Sequence, residues 1–554
     1  MYKIRNILQI IFISGLPTLF RRTIQSKVTL ILLLIGLCSC SDQNSDKGSG
    51  VLRYNHTNPV TTLDPAFAKS QNSIWTSHHI YSTLLNFDTL TQITDNLTYS
   101  HRVSDDGLVY TFYLRDSIFF HDDECFGPSL TRKMNAYDVI YSYERLLDPV
   151  IQSPGSWILK DRLVDNGMVA IDSLTLQLTL SKPFPPFLGL LATKYCSIIP
   201  QEAVDFYGHT FRSHPVGTGP YQLKRWIEGE GLFLEANDHY FKGKPHLKGV
   251  KASYITDKKI AFLSLLHGDL DYISGLESTF SQKLLTPEGL LLDEHRDQLT
   301  LKSVPYLNTE YIGLRMTNTN SVLSQKAFRQ ALNYAIDRSV MLKVLRNKIG
   351  YPGQNGIVHP GLEIMMSKLP TGYTYQPETA KKLLSQAGYK TEYQSEEIVL
   401  STNADYLDII TFVARQWEAI GIRVKIDVLE SSILRQGMRN GSIDCFRASW
   451  IADYPDPENF LTLFYGENPS PPNYTRFKNA KFDYLYQLAT TTTNKQNRKN
   501  LYAQLDSIII DEAPVVFLFY DATAIFHSNA LIGVELNALN LLEVEQMKKS
   551  KNLK

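Results

Sequence analysis

Cysteine is scarce, with five in 554 residues, a density that excludes a small fold held together by disulfide staples. Charge of one sign is missing as well. Lys plus Arg number 56 and Asp plus Glu number 56, so the chain lacks the basic excess with which a protein displaces counterions from nucleic acid. No glycine-rich Gly-Lys-Ser/Thr phosphate loop, HExxH pair or GxSxG elbow occurs, which leaves phosphoryl, zinc and acyl-transfer chemistry without support. After residue 50 there is no linker rich in Pro, Gly or Ser and no low-complexity run, so any lobes must be joined by short, packed crossings. What the chain does hold is 43% hydrophobic and 20% charged residues, with 31 Tyr and 26 Phe. That is the profile of a folded protein with ring surfaces to spare for cores and clefts. At about 150 residues per domain, its length fits three or four domain-sized units.

Residues 1–40 stand apart. Lys3, Arg5, Arg21, Arg22 and Lys27 form a basic segment without an acidic residue, and the apolar run 28–37 follows it. A run this short suits a signal peptide and falls below the roughly 20 residues a spanning helix needs. An earlier apolar stretch, 7–20, is interrupted by Gln9, Gly15 and Pro17. The run ends in Leu37-Cys38-Ser39-Cys40, which resembles a bacterial lipobox. Cys40 is the lipid-attachment residue this implies, because bulky Leu37 directly precedes Cys38. An ordinary secretory signal that happens to carry cysteines is the alternative. Residues 41–50 are polar and suit a flexible tether. The expectation is an exported chain, lipid-anchored to a bacterial membrane and facing the periplasm or extracytoplasmic space. The remaining cysteines, Cys125, Cys196 and Cys445, are odd in number and match no metal spacing. They read as core residues, with one disulfide pair left open.

Strand and helix patterns alternate along the body. Residues 109–114 alternate and are rich in aromatics, as a strand should be. Asn135 is placed to cap a helix running through Arg145, and Ser324 to cap a long helix that Gly350 closes. Pro377 sits where a first-turn proline belongs, with Gly388 ending that helix. Residues 397–430 read as strand, amphipathic helix, strand, which argues for an α/β lobe. A helix ending at Gly268 before Asp271-Tyr272-Ile273 is echoed by one ending near Gly441 before Cys445-Phe446. The adjacent pair His78-His79 faces apart on a helix, which speaks against a metal site. No metal and no cofactor is expected.

A series of short motifs then appears in a fixed order: Leu63-Asp64-Pro65, Ser104-Asp105-Asp106-Gly107, Phe120-His121-Asp122 and Pro215-Val216-Gly217-Thr218-Gly219-Pro220-Tyr221. Arg329-Gln330-Ala331-Leu332-Asn333-Tyr334-Ala335-Ile336-Asp337-Arg338, Trp450-Ile451-Ala452-Asp453-Tyr454-Pro455-Asp456-Pro457 and Asp511-Glu512-Ala513-Pro514 complete it. Together they resemble the oligopeptide- and dipeptide-binding proteins of ABC importers, the extracellular solute-binding proteins of family 5, from about residue 52 to 535. The resemblance implies a two-lobed α/β clamp of the periplasmic-binding-protein (type II) kind with an extra small domain. Lobe I would comprise 51–81, 205–301 and 521–554, the additional domain 82–204, and the second large lobe 302–520.

The same resemblance implies a binding protein rather than an enzyme. It would be a monomer that traps short peptides between lobes and hands them to a permease and ATPase complex. An extended peptide would lie beside the strand containing Arg447, Ser449, Trp450 and Ile451. Asp453 would hold the peptide's α-ammonium, unless it merely caps the turn before Tyr454-Pro455. Arg447 would pair with the C-terminal carboxylate, unless it forms an ion pair within its lobe. Across the cleft, Ser70, Gln71 and Asn72 align with a ligand-facing loop, and Trp157 is a further candidate. The Gly-Thr-Gly-Pro-Tyr segment reads as a tight turn and the Ala-Ile-Asp-Arg helix as packing. Other solutes (nickel chelates, haem, glycans, signalling peptides), a lipid-anchored hydrolase and a surface adhesin are the competing readings.

Overall fold

The computed structural model describes residues 50–275, 281–319, 321–389 and 396–550. The expected signal peptide, Cys40 and nearly all of the expected tether lie outside the described residues. Among those residues, three sheets of four or more strands organise the chain. A seven-stranded sheet runs in the order Leu299–Lys302, Ile525–Ser528, Tyr272–Ser274, Val51–His56, Gly249–Tyr254, Gly231–Ala236 and Tyr221–Ile227. A four-stranded antiparallel sheet joins Thr98–Val103, Val109–Leu114, Thr175–Leu180 and Leu163–Asp172. The third sheet has six strands, ordered Tyr351–Pro352, Val515–Ala522, Pro305–Leu314, Cys445–Ile451, Glu397–Thr402 and Arg423–Val428.

The six-stranded sheet is covered on both faces, and its residues show it. Along Val515–Ala522, Val515 and Phe517 enter one hydrophobic core while Val516 and Leu518 enter another. Cys445 and Phe446 divide between the same two cores. A strand buried on both sides reads as an unbroken apolar run rather than an alternation. The expected strand–helix–strand unit is present as Glu397–Thr402, Leu407–Glu418 and Arg423–Val428, with the two strands parallel. Asn135 caps the helix Ala136–Leu147 through a reciprocal box with Asp138. Pro377 opens its helix as expected, and Gly268, Gly388 and Gly441 follow theirs with positive φ.

Two local expectations are corrected. The long helix beginning at Ser324 is two helices, Lys326–Tyr334 and Arg338–Leu345. Asp337 starts the second by accepting a hydrogen bond from the Val340 amide, and Ser324 caps neither. Second, Gly217 and Gly219 are not in a positive-φ turn. They let the backbone pass against the end of the helix Gln71–Ile80, where the Gly219 amide donates to the Ile80 carbonyl at 2.9 Å. A Cβ on Gly219 would lie 2.6 Å from the His79 carbonyl oxygen. Gly219→Ala is therefore expected to cost about 1–3 kcal/mol through overpacking. An unchanged urea midpoint would show that the two backbone segments can part freely.

Several family-like motifs turn out to hold the fold. Asp64 forms a two-pronged ion pair with Arg145, at 2.9 and 2.5 Å. Buried Arg329 donates to the carbonyls of Leu323, Ser324, Glu512 and Ala513, tying its helix to the Asp511-Glu512-Ala513-Pro514 corner. Arg338 does the same for Asn333, Ile336 and Phe517. His78 and His79 are buried against the C-terminal segment, bonded to Glu543 and to the Leu542 carbonyl respectively. Cys125, Cys196 and Cys445 are all free thiols, and the latter two are buried.

Candidate ligand-binding cleft

The strand Cys445–Ile451 pairs along its whole length with Pro305–Leu314, from Cys445 opposite Leu314 to Ile451 opposite Asn308. On its other side, Glu397–Thr402 meets only Cys445 and Phe446. From Arg447 onward that side has no strand partner among the described residues. In an antiparallel pair, alternate N–H and C=O groups point away from the partner strand. Residues 447–451 thus present an open sheet edge.

A cavity of about 350 Å³ lies along this edge, with Gln71, Lys194, Tyr195, Tyr306 and Asp453 among its walls. Ser449, Trp450 and Ile451 line it too, so most of the residues expected from sequence meet at one place. Ser70, Trp157 and Arg447 are not among its walls. The Ser70 hydroxyl accepts from the Ser73 amide and caps the helix that carries Gln71. The Trp157 ring lies 6.4 Å from that of Tyr454, centroid to centroid. Asn72 donates from its side chain to the Asn58 carbonyl.

Arg447 is engaged within its own sheet. Its Nη2 and Nε donate to Glu310 Oε2 at 2.6 and 3.1 Å, and its guanidinium lies over the Tyr406 ring. Glu310 stands opposite Ser449, so the pair is the diagonal one across two neighbouring strands. Of the two readings that the sequence left open for this arginine, the ion pair is the one observed. Glu310 is almost fully buried, and burial raises its pKa; Arg447 opposes that rise and Asp521 adds to it.

Asp453 stands on the cavity wall, beside a corner that other side chains hold. Within the corner Tyr454-Pro455-Asp456-Pro457 the capping aspartate is Asp456, whose Oδ1 accepts from the Glu458 amide at 2.9 Å. Tyr454 and Tyr486 donate to Glu458 and lock the corner. Asn459, itself buried, accepts from both the Asp453 amide and Trp450 Nε1, at 3.2 and 2.9 Å. This fixes the turn and sets the Asp453 carboxyl on the cavity wall beside Asn459, with no cation within 4 Å among the described residues. The residue is open to the cleft's solvent, yet the protein mass around its carboxyl pushes the pKa up to about 6, against the pull of Asn459.

Sequence reasoning missed Lys194, Tyr195, Tyr306, Asn459 and Glu310. Lys194 and Tyr195 belong to the one-turn 3₁₀ helix Lys194–Cys196, in a stretch with no motif and no period to mark it. Lys194 is 5% exposed, and burial lowers its pKa to about 8 despite the attraction of Glu543. Burial likewise raises the phenol pKa values of Tyr195 and Tyr306, so both remain protonated. Among the described residues no cluster of three or more His, Cys, Asp or Glu could hold a metal ion.

Comparison with known proteins now bears on this geometry. Residues 92–472, more than half of the chain, match the family described as bacterial extracellular solute-binding proteins, family 5 Middle. The chain belongs to this family. Among its relatives, Heme-binding protein A of Haemophilus influenzae is 29% identical over 458 residues, covering 79% of this chain and 81% of the relative. Glutathione-binding protein GsiB of Salmonella typhimurium is 26% identical over 484 residues, covering 85% and 89%. The periplasmic binding protein DppA of Helicobacter pylori, solved with the peptide STSA, superposes with a TM-score of 0.76. It is 25% identical, over 90% of this chain and 98% of that one. Family 5 proteins are extracytoplasmic receptors of ABC importers, and this one has their two-lobed α/β fold. Among the described residues no helix is long and apolar enough to cross a membrane.

Proposed function

We propose that this solute-binding protein captures short peptides in the cavity beside residues 447–451 and delivers them to an ABC permease, with no catalytic step. The observation that carries the reading is the open strand edge running directly into Asp453, a carboxylate with no cation within 4 Å among the described residues. An extended peptide adds to such an edge through main-chain hydrogen bonds that ignore its sequence. Its α-ammonium then meets Asp453 in a charge-assisted bond that requires a free amino terminus. The peptide in the related DppA structure supports the same choice.

Haem is the second reading, favoured by the name of the 29% identical relative. The cavity walls speak against it. They include no His, Cys or Met, the imidazole and sulfur ligands usual for haem iron.

The lobe limits proposed from sequence have support in the sheets. The seven-stranded sheet draws on 51–81, 205–301 and 521–554, the four-stranded sheet on 82–204 and the six-stranded sheet on 302–520, apart from the strand ends at Lys302, Asp521 and Ala522. Two crossings between the large lobes run side by side. There the Thr523 amide donates to the Val304 carbonyl at 2.9 Å, and the Val304 amide to Thr523 Oγ1 at 3.0 Å. Short paired crossings of this kind make a hinge, about which closure would trap the ligand.

Native mass spectrometry of residues 41–554, purified from a peptide-rich medium, tests the reading. Co-purifying masses that fragment as peptides are expected, and they should be absent from Asp453→Ala. A protein that stays bare in di- to pentapeptide libraries, or that retains haem, would overturn it. The full-length chain extracted from membranes should begin at a lipidated Cys40; an unmodified Cys40 would remove the anchor.

A further inference from the structure

We propose that Lys194 receives the carboxylate end of the ligand, so that the site selects short zwitterions carrying one free amino and one free carboxyl terminus. This rests on the peptide reading above and goes beyond it by assigning a carboxylate-binding residue and a length class.

Arg447 is already engaged by protein. Its guanidinium is occupied by Glu310 and stacked on Tyr406, and it is not a wall of the cavity. A ligand carboxylate using Arg447 would have to displace a buried protein carboxylate from a 2.6 Å contact. Lys194 is differently placed. It lines the same cavity as Asp453, is 5% exposed, and makes no side-chain hydrogen bond or ion pair within 4 Å among the described residues.

The charged groups around Lys194 are otherwise engaged. Glu543 is bonded to His78 at 2.9 Å, and Glu545 accepts from Tyr240 and lies 3.6 Å from Lys242. A nearly buried ammonium without a partner carries a desolvation cost that an incoming carboxylate would offset. The other lysine of the cavity, Lys69, is exposed and keeps its hydration. It therefore gains less from a ligand.

Size agrees with charge. The cavity is about 350 Å³. That volume suits a di- or tripeptide with modest side chains and lies near the lower end of ligand sites, about 300–1,000 Å³. Asp453 and Lys194, on walls of one cavity, then read the two ends of one small molecule.

Equimolar di- and tripeptide libraries, offered once as free acids and once as C-terminal amides, test this by competition in native mass spectrometry. Wild-type protein should prefer the acids by roughly 30-fold or more, the range expected when a buried charge pair loses one partner. Lys194→Met should abolish that preference, while Lys69→Met should keep it. Wild-type protein that binds acids and amides alike overturns the assignment even if Lys194→Met fails to fold, and leaves peptide capture standing. Preference retained in Lys194→Met, or lost in Lys69→Met, also overturns it. Wild-type protein that binds neither library sinks the peptide reading and this inference together.

Discussion

Arg447→Met is expected to lower stability by roughly 3–5 kcal/mol at neutral pH, because it strands a buried carboxylate. Among the described residues, Glu310 would keep only the Asn308 amide, 3.1 Å from its Oε1, as a side-chain hydrogen-bond donor. Against a typical total of about 5–15 kcal/mol, such a loss is large. The pH dependence has a definite sign. Burial already raises the folded pKa of Glu310 above its ordinary 4.5, and removing Arg447 takes away the group that opposes the rise. A carboxyl with a raised folded pKa is destabilising while it must ionise, and that penalty disappears as pH falls through the folded pKa toward the unfolded one. The deficit of Arg447→Met should therefore be greatest near neutrality and shrink on acidification. Glu310→Gln combined with Arg447→Met should recover part of the loss, since a neutral pair leaves no stranded charge. Urea titrations of wild-type protein, Arg447→Met and the double variant at several pH values check this. A deficit below about 1 kcal/mol, the value of an exposed pair, would place the ion pair in solvent and refute the argument.

The legible parts of the fold were those with a strong local signature. Asn135 with Asp138 is a reciprocal cap spelled out within four residues, and residues 397–428 switch period from strand to helix and back. Val515–Ala522, one of the most buried strands, shows no alternation, because both of its faces are covered. Periodicity alone cannot separate such a run from a buried helix. The break between Tyr334 and Arg338 was hidden for another reason: apolar spacing continues across it, and the interruption comes from the side chain of Asp337.

The site divides along similar lines. Gln71, Ser449, Trp450, Ile451 and Asp453 were found through motif order, and they converge on one cavity. Lys194 and Tyr306 reach the same cavity from positions more than a hundred residues away from Asp453, and no local pattern announces them. Whether Arg447 faced ligand or protein depended on its neighbour across the sheet. Glu310 becomes that neighbour only once the register of two strands is set.

Peptide affinity should fall roughly tenfold between pH 7 and pH 5, because the empty protein's Asp453 has a pKa of about 6 and the ligand ammonium requires its charged form. At pH 7 roughly nine-tenths of the carboxyl is ionised and at pH 5 roughly one-tenth. On the alkaline side the peptide's own α-amino group, with a pKa of about 8, and Lys194, which burial lowers to about 8, both lose their protons, so binding should be bell-shaped with its maximum near neutrality. Asp453→Asn should weaken binding by about 2–5 kcal/mol at pH 7, which is 30-fold or more, and flatten the acid limb. Stability of the empty protein should move the opposite way. A folded pKa raised from 3.8 to about 6 means that the native state binds this proton more tightly than the unfolded chain does. Acidification through that window therefore favours the empty fold while it weakens the complex. Calorimetric titrations at matched ionic strength, with thermal unfolding of the empty protein across the same range, separate the two effects. An acid limb that persists unchanged in Asp453→Asn would assign the proton to another group and remove Asp453 from the amino-terminal site.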